Sequence, residues 1–415
     1  MTSIAAGKRP GLLANPNYLR LWFAGGVGNA MRWLELLVAG IFTYDATHST
    51  FLVAVVTVAR SLPMLFVGAI AGLVGEAFNR KRILLAQLLV MAGSSGVLCA
   101  LALWGCLRVW HVAMAGIVSG IVWAAEMAVR RRMIGEIVPA DQVVAAVAFD
   151  SLTNSIARVL GPLAGGAAFQ SLGLPGAYFL SAALFLAAFF VVAGLGFEQQ
   201  RRPLQLRRLI PDLAEGMAIA RAHPAIFGVV LVSIVMNVFG FSYSALIAPI
   251  GLAGYRVSPT LVGALAAAEP IGAIAIGAAL SAGWLRLDGT RAMLRGSLLF
   301  LLGVAGMALS PWYGLAFVLL LAGGLGTAAF SNMQTTLILL EAPAAMRSRV
   351  MGIVTMCIGT GPLGILAVGL LSEWLGPAAA ILTMASFGLA GLGLVWICLL
   401  RVAPTAEEAP AAGLL

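Results

Sequence analysis

Twelve apolar segments recur along the chain, and each is about 18 to 29 residues long. The hydrocarbon core of a bilayer is about 30 Å thick, and a helix needs about 20 apolar residues to cross it. Apolar residues surround each segment rather than alternating at every second position, which indicates helices and excludes a β-barrel. We therefore predict an all-α membrane protein with twelve spans. The predicted spans are 19–43, 51–74, 83–105, 111–129, 142–170, 175–196, 224–252, 259–284, 292–309, 312–338, 349–371 and 377–400.

Composition agrees with a membrane location and excludes several other classes of protein. Of the 415 residues, 61% are apolar and only 10% are charged, and the mean hydropathy is +1.02. A soluble domain carries about 25% charged residues, so a water-soluble fold, a disordered chain and a collagen-like repeat are excluded. The net charge of +9 could suggest a nucleic-acid binder, but in a membrane protein a basic excess is a signal of topology.

Lysine and arginine are distributed unevenly when the connections, together with the adjoining ends of the spans, are assigned alternately to two sides. One side takes 20 of the 25 basic residues, the other takes only Arg108 and Arg256, and Arg32, Arg60 and Arg158 lie further inside spans. Basic residues concentrate in cytoplasmic connections, which predicts that both termini are cytoplasmic.

Arginine outnumbers lysine 23 to 2. Together with abundant alanine and glycine, this indicates a GC-rich bacterial genome and a multi-pass protein of the bacterial inner membrane.

The longest connection is rich in charge and divides the spans into six and six. We predict a cytoplasmic segment at 1–18, a six-helix bundle at 19–197, a cytoplasmic linker at 198–223, a second six-helix bundle at 224–401 and a cytoplasmic tail at 402–415. The halves also resemble each other, since the Gly-Pro-Leu triplet at 161–163 recurs at 361–363. Transporters built from such repeats commonly bind substrate where the repeats meet.

The connection between the second and third spans has the sequence GLVGEAFNRKR at 72–82. It resembles the loop signature of the major facilitator superfamily. Gly72, Arg80 and Lys81 match that signature, while Glu76 replaces an aspartate and Asn79 replaces a glycine. In that family the loop acts as a latch during conformational change, so the resemblance implies a gating role for these five residues.

Other segments extend the resemblance over almost the whole chain. NPNYLRLW at 15–22, EIVPADQVVAAVA at 136–148 and NSIARVLGPLAGG at 154–166 are similar to a branch of the superfamily that includes the enterobactin exporter and many drug and siderophore efflux proteins. Gly161 and Pro162 resemble the fifth-helix motif of antiporters, and a proline-bent, glycine-lined face can pack closely against a partner helix. The resemblance implies two six-helix bundles that transport by alternating access.

A few ionisable residues lie inside predicted spans, where each charge costs roughly 2.5–3.5 kcal/mol on insertion scales and is a functional candidate by default. Glu269 is near the middle of the eighth span, and its own helix offers no cation three or four residues away. It must be protonated or pair with another helix. We predict that Glu269, Glu35 and Asp150 are candidates for proton coupling. The alternative for Glu269 is a structural carboxyl bonded to backbone groups freed by Pro270.

Arg32 and Glu35 are three residues apart in the first span, where they could neutralise each other or contribute to a substrate cavity. Arg60 in the second span has no acid at helical spacing, so a partner on another helix, such as Glu35, is expected. We predict Arg32 and Arg60 as substrate-cavity candidates.

Asp150, Asn154 and Arg158 form an i, i+4, i+8 stripe on the fifth span, and we expect the stripe to face the bundle interior. It is either a gating network or a structural lock, and Asn154 and Arg158 are also cavity candidates. Glu126 and Arg130 are an i,i+4 pair near the end of the fourth span. They resemble an acid and an arginine at equivalent gating positions in the family, although a stabilising ion pair is the simpler interpretation.

Neutral side chains complete the predicted cavity. Asn237 and Tyr243 on the seventh span and Asn332 and Gln334 on the tenth could contact substrate. Trp33 and Phe241 would provide apolar walls, although packing is the alternative role for each of these six residues.

The sequence therefore predicts a secondary active transporter, with proton-coupled export of a small amphipathic organic molecule, siderophore-like or drug-like, as the leading hypothesis. An importer of a nutrient, a lipid transporter and a non-transporting membrane sensor or scaffold remain open alternatives. The expected partners are a small-molecule substrate, protons and the lipid bilayer, without nucleic acid, and the expected state is a monomer. The chain has no Walker A sequence, no catalytic motif and no paired cysteines or histidines, so we predict no enzyme activity, no cofactor and no metal.

Overall fold

The structure is a computed structural model that describes residues 11–77, 79–197, 217–218, 221, 223–282, 284, 289–343 and 346–402. Side chains are described for the same residues, with the exception of 65–77, 128, 281, 348 and 399–402. Of the described residues 91% are helical and none lies in a strand. The predicted all-α class is confirmed.

Twelve helical elements account for almost all of the described residues. They are α1 Pro16–Thr47, α2 Thr50–Ala77, α3 Arg80–Leu103, α4 Val109–Ile137, α5 Val143–Ala193, α6 Pro224–Gly254, α7 Pro259–Ser281, α8 Gly289–Leu309, α9 Tyr313–Glu341, α10 Arg347–Ile358, α11 Gly361–Leu375 and α12 Pro377–Val402.

The first residues of α1 show how a helix start is determined by the local sequence. The Asn15 side chain accepts hydrogen bonds from the backbone N–H groups of Asn17 and Tyr18 at 3.0 and 3.2 Å, and Pro16 occupies the first helical position.

Nine helices among the described residues are long and apolar enough to cross a membrane, with α10 and α11 together forming one of them. α1 is not among the nine because Asn29, Arg32 and Glu35 lower its apolarity. α2 is not counted because its apolar part with described side chains, Thr50–Met64, is too short. The predicted number of twelve spans stays a prediction.

α5 contains two of the predicted spans, 142–170 and 175–196, in one continuous element. The break between them is at Gly173, whose φ of 70° and ψ of −179° interrupt the helical backbone. Glycine adopts such a positive φ without the clash that a Cβ would cause. The turn expected between the fifth and sixth spans is therefore a one-residue kink.

The chain divides into two compact units. Unit 1 comprises Met1–Leu206 and Ile247–Pro270, and unit 2 comprises Arg207–Leu246 and Ile271–Leu415. The division falls inside α6 and α7, so the first half of α7 clusters with the amino-terminal helices. The predicted linker at 198–223 lies almost entirely outside the described residues, and the predicted domain boundaries stay predictions.

Unit 1 is built on the pairing of α1 with α5, of α2 with α4 and of α3 with α5. Its core includes the fully buried side chains of Tyr18, Leu34, Met133, Tyr178 and Phe185. The side chains of such a core are closely packed. This packing fixes how each helix is rotated about its axis, and therefore where the charged side chains described below lie.

Unit 2 is built on the close pairing of α8 with α9. An added Cβ at Gly303 would lie 2.8 Å from the Cα of Gly323, so only small residues allow this approach. α6 is irregular. A π-helical turn at Met236–Gly240 and a 3₁₀ segment at Phe241–Leu246 interrupt it, and such turns often mark functional positions.

Candidate functional site

Glycines on α5 allow α1 and α7 to approach its backbone. A Cβ on Gly161 would lie 2.7 Å from the carbonyl oxygen of Ala30 and would overlap Trp33. A Cβ on Gly263 of α7 would overlap the carbonyl oxygen of Pro162. The expected close packing of the Gly161-Pro162 segment is confirmed, and its gating role stays a prediction.

One ion pair of unit 1 joins α5 to α7. Nη2 of Arg158 donates to Oε2 of Glu269 at 2.7 Å, and the side chains are 30% and 4% exposed. Glu269 therefore has the interhelical partner that its own helix does not provide. Its second oxygen, Oε1, is buried and has no hydrogen-bond partner among the described residues, which leaves one strong acceptor available to a bound molecule.

Two tryptophans stack on the arginines beside this pair. Cζ of Arg32 lies 3.5 Å from the ring centroid of Trp123 and 5.2 Å from that of Trp33, and Cζ of Arg158 lies 5.6 Å from the ring of Trp33. Cation–π attraction of this kind strengthens when water is excluded. The alternative in which Arg32 and Glu35 neutralise each other is wrong, because Arg32 turns to Trp123 instead.

Glu35 lies in a separate polar cluster. Its Oε1 accepts hydrogen bonds from the hydroxyls of Ser95 on α3 and Ser181 on α5, each at 2.6 Å. Its Oε2 lies 3.7 Å from Nη1 of Arg60. The expected pairing of Arg60 with Glu35 is confirmed, and three helices hold this carboxylate in place.

Arg130 links two acids near the end of α4. Its Nε lies 3.2 Å from Oε1 of Glu126, and its Nη1 pairs with Oδ1 of Asp150 at the start of α5. The predicted i,i+4 ion pair is confirmed. A Cβ on Gly25 would overlap the Arg130 guanidinium, so glycine in α1 provides the space for this group.

The predicted polar stripe on α5 divides among different surroundings. Asp150 pairs with Arg130, Arg158 pairs with Glu269, and Asn154 is exposed. The three residues share a helix face as their spacing requires, but the two charged ones belong to separate ion-pair clusters.

The loop motif between α2 and α3 forms a set of polar contacts at one end of unit 1. The Asn79 side chain accepts a hydrogen bond from the backbone N–H of Arg82 at 3.2 Å and caps α3. Arg80 pairs with Glu136 at the end of α4. Lys81 donates to the carbonyl oxygens of Ala193 and Leu195 at 2.9 and 2.6 Å, beside the end of α5. Residues 72 and 76 belong to the stretch of α2 that the structure describes without its side chains, so the contacts of Gly72 and Glu76 stay predictions.

Apart from Trp33 and Asn154, the predicted neutral candidates lie in unit 2. Asn237 and Asn332 donate to carbonyl oxygens one turn back on their own helices, those of Ser233 and Ala328, each at 2.8 Å. Gln334 of α9 donates to the Ser233 hydroxyl at 2.6 Å and so joins α9 to α6. All three side-chain amides therefore already donate a hydrogen bond within unit 2.

Aromatic rings surround Phe241 in the same unit. Its ring centroid lies 5.0 Å from that of Phe300 and 6.3 Å from that of Phe330, and Tyr243 lies 5.9 Å from Phe300. Phe241 remains partly exposed, so it presents an apolar surface as predicted. Whether substrate touches it stays a prediction.

Sequence reasoning missed four residues that organise the charged clusters: Ser95, Trp123, Tyr178 and Ser181. Each lies in a mostly apolar run, and only the fold brings it beside an arginine or a glutamate. The described residues contain no group of three or more His, Cys, Asp or Glu side chains that could hold a metal ion.

A family model described as transmembrane secretion effector matches residues 11–413 of the chain. The chain belongs to this family of major facilitator transporters. The transporter is therefore a multi-pass membrane protein that carries small molecules, and neither its family nor its relatives are enzymes.

Its relatives in sequence include named exporters. It is 27% identical over 387 residues to the enterobactin exporter EntS of Escherichia coli, an alignment that covers 88% of each chain. It is 24% identical over 374 residues to the multidrug efflux pump Tap of Mycobacterium tuberculosis, with 85% of this chain and 87% of the relative covered.

Solved structures of other transporters share the fold. A POT family transporter in complex with 5-aminolevulinic acid has a TM-score of 0.73 at 12% identity, over 93% of this chain and 96% of the other. A bacterial homolog of the human lysosomal transporter Spinster has a TM-score of 0.68 at 16% identity, over 95% and 96% of the two chains. These likenesses confirm the major facilitator fold.

Proposed function

We propose that the transporter exports a small amphipathic organic molecule from a bacterial cell in exchange for inward-moving protons. Transport would follow alternating access in the inner membrane, with both termini in the cytoplasm. The orientation rests on the distribution of 20 basic residues on one side against 2 on the other. The coupling rests on one observation, the ion pair of Arg158 with the buried Glu269, whose Oε1 has no hydrogen-bond partner among the described residues.

Exchange requires that a proton and a substrate oppose each other's binding, and such coupling is reciprocal. A substrate group that donates a hydrogen bond to Oε1 of Glu269 favours the ionised carboxylate, and it therefore expels a proton. A proton on the same carboxyl weakens the attachment of Arg158 and of the substrate donor together. One buried side chain can thus hold either the proton or the substrate.

The surroundings of this pair fit an amphipathic cargo. Trp33 and Trp123 present aromatic faces next to Arg32 and Arg158, and ligand pockets commonly combine apolar walls with a few placed polar groups. Relatives named as an enterobactin exporter and a multidrug efflux pump agree with an organic cargo of this kind.

Proton coupling is tested with purified transporter in proteoliposomes, with enterobactin and ethidium as separate probes. An imposed pH gradient should drive concentrative movement of at least one probe by the native protein. Glu269→Gln should abolish this movement but retain exchange of probe at equal concentrations, because glutamine keeps the hydrogen-bonding capacity without the titrating proton. Glu341→Gln, which neutralises an exposed carboxylate at the end of α9, is the matched control and should transport normally.

Undiminished pH-driven movement by Glu269→Gln would contradict the coupling role. Inside-out vesicles then separate the alternatives of direction and class. Accumulation of probe inside such vesicles indicates export, loss of probe indicates import, and no movement of any probe favours a sensor or scaffold.

A further inference from the structure

Each unit contains a close crossing of two helices, and the crossing in unit 1 is regular. An added Cβ on Gly161 of α5 would lie 2.7 Å from the carbonyl oxygen of Ala30 on α1. One on Gly165 would lie 3.0 Å from the carbonyl oxygen of Leu34, one turn further along α1. Both helices are continuous at this contact, which we call the α1–α5 crossing.

The Gly-Pro-Leu triplet that begins at Gly161 recurs at 361–363, and its helix meets α6 in the same way. A Cβ on Gly361 would lie 3.8 Å from the carbonyl oxygen of Asn237, and a Cβ on Gly364 would overlap the carbonyl oxygen of Val238. This contact, the α6–α11 crossing, lies within unit 2. The two crossings are counterparts, so a difference between them reflects the sequence around a shared contact.

In the α6–α11 crossing the helix α6 changes its winding. The π-helical turn Met236–Gly240 passes directly into the 3₁₀ segment Phe241–Leu246. The Asn237 amide and the Ser233 hydroxyl each donate to a carbonyl oxygen one turn back, at 2.8 and 2.6 Å. Gln334 of α9 donates to the same hydroxyl at 2.6 Å. Side chains therefore stabilise a turn that departs from the regular helix, as at many functional positions.

The partner of α6 is interrupted at the same contact. α10 ends at Ile358, and α11 begins at Gly361. Pro362 has no N–H group to donate to the carbonyl oxygen of Ile358. The Thr360 hydroxyl donates to the carbonyl oxygen of Cys357 at 2.7 Å, in place of a regular backbone bond. Two helix irregularities thus meet at one backbone-to-backbone contact.

The residues before the triplet explain why only one of the two crossings is broken. α5 contains the same Gly-Pro pair without an interruption at that point, so the proline alone does not break the helix. Val159 and Leu160 precede the triplet in α5, whereas Gly359 and Thr360 precede it at the α10–α11 junction. Glycine is a poor helix former, and a threonine hydroxyl competes for backbone carbonyls. The sequence therefore favours a continuous helix in unit 1 and a weak junction in unit 2.

We propose that the α6–α11 crossing is the bending point of unit 2, about which α6 and α11 change their angle during transport while the α1–α5 crossing stays rigid. Interruptions in both helices allow each to bend without breaking a regular run of hydrogen bonds. The close contact of Gly364 with Val238 couples the two bends, because neither backbone can move without displacing the other. This inference goes beyond the proposed proton exchange, since it involves neither Arg158 nor Glu269.

Hydrogen–deuterium exchange followed by mass spectrometry tests the proposal on the full-length transporter in nanodiscs. Peptides that cover 234–246 and 356–366 report on the α6–α11 crossing, and peptides that cover 27–37 and 156–166 report on its counterpart. After correction for intrinsic rates, the amides of the α6–α11 crossing should exchange at least roughly tenfold faster, because a bending point opens locally. Equal protection of the two crossings overturns the proposal.

A double variant transfers the unit 1 sequence to the junction. Gly359→Val with Thr360→Leu copies Val159 and Leu160 and should slow amide exchange at the junction roughly tenfold. It should slow the movement of enterobactin or ethidium across proteoliposomes at equal concentrations by a similar factor, because bending then costs more. Gly393→Ala is the matched control in α12 of the same unit, with nothing within 4 Å of the added Cβ, and should change neither rate.

Slower amide exchange in the double variant with undiminished movement of the probes would overturn the role in transport. The comparison of the two native crossings needs no variant, so it remains decisive even if the double variant does not fold. Glu269→Gln should preserve the difference in amide exchange between the crossings. A failure of proton coupling and a failure of this proposal are therefore distinguishable.

Discussion

Replacement of Arg158 by glutamine should destabilise the transporter more than replacement of its partner Glu269 by glutamine. The reason is the unequal burial of the pair, since the Glu269 side chain is 4% exposed and that of Arg158 is 30% exposed. Arg158→Gln leaves a deeply buried carboxylate without its cation. Glu269→Gln leaves an arginine that reaches the surface and stacks on Trp33, with Cζ 5.6 Å from the ring centroid.

The burial sets the size of each effect. Breaking a buried ion pair from one side costs about 3–5 kcal/mol, but an abandoned carboxylate can escape by taking up a proton, which costs a glutamate about 3.7 kcal/mol at pH 7. Arg158→Gln should therefore cost roughly 3–4 kcal/mol. Glu269→Gln should cost only about 1–2 kcal/mol, because solvent and the indole ring compensate Arg158.

Reversible unfolding by sodium dodecyl sulfate in mixed micelles, followed by tryptophan fluorescence, measures these costs in a double-mutant cycle. The double variant should cost about as much as Glu269→Gln alone, which gives a coupling energy of roughly 3–4 kcal/mol. Equal costs for the two single variants would refute the argument from burial.

Two further predictions concern helix packing and helix capping. Gly161→Ala should destabilise by about 1–3 kcal/mol, because its Cβ would overlap Trp33, whereas Gly96→Ala, with nothing within 4 Å of the added Cβ, should be neutral or stabilising. Asn79→Ala should cost about 1 kcal/mol through loss of the α3 cap, and Asn79→Asp should not. Unfolding midpoints measure both effects; comparable losses in the two glycine variants, or in the two Asn79 variants, would contradict these assignments.

Features that depend on neighbouring residues along one helix could be predicted from the sequence. The Glu126–Arg130 ion pair follows from i,i+4 spacing, and the break at Gly173 lies between two predicted apolar spans. The length of an apolar run and the spacing of charges are local quantities, and the bilayer makes both unusually informative.

Contacts between distant segments could not be predicted in the same way. The sequence requires a partner for Glu269 but cannot select Arg158, which is 111 residues away. Arg32 illustrates the difficulty, because Glu35 lies at suitable helical spacing and yet Arg32 stacks on Trp123. Rotation of each helix about its axis decides such partners, and that rotation is set by packing against neighbours.

The two units differ in the chemistry that they offer to a passing molecule. Unit 1 contains every ion pair described above, and Arg32, Arg60 and Arg158, which lie well inside predicted spans, each contact an acid or an aromatic ring. The candidates of unit 2 are amides bonded within the unit and a cluster of phenylalanines around Phe241. A group that exchanges protons must change its charge, and neither amides nor phenyl rings do so near neutral pH. The proposed proton coupling therefore draws on unit 1, and the candidate residues described in unit 2 bear on the shape and polarity of what is carried.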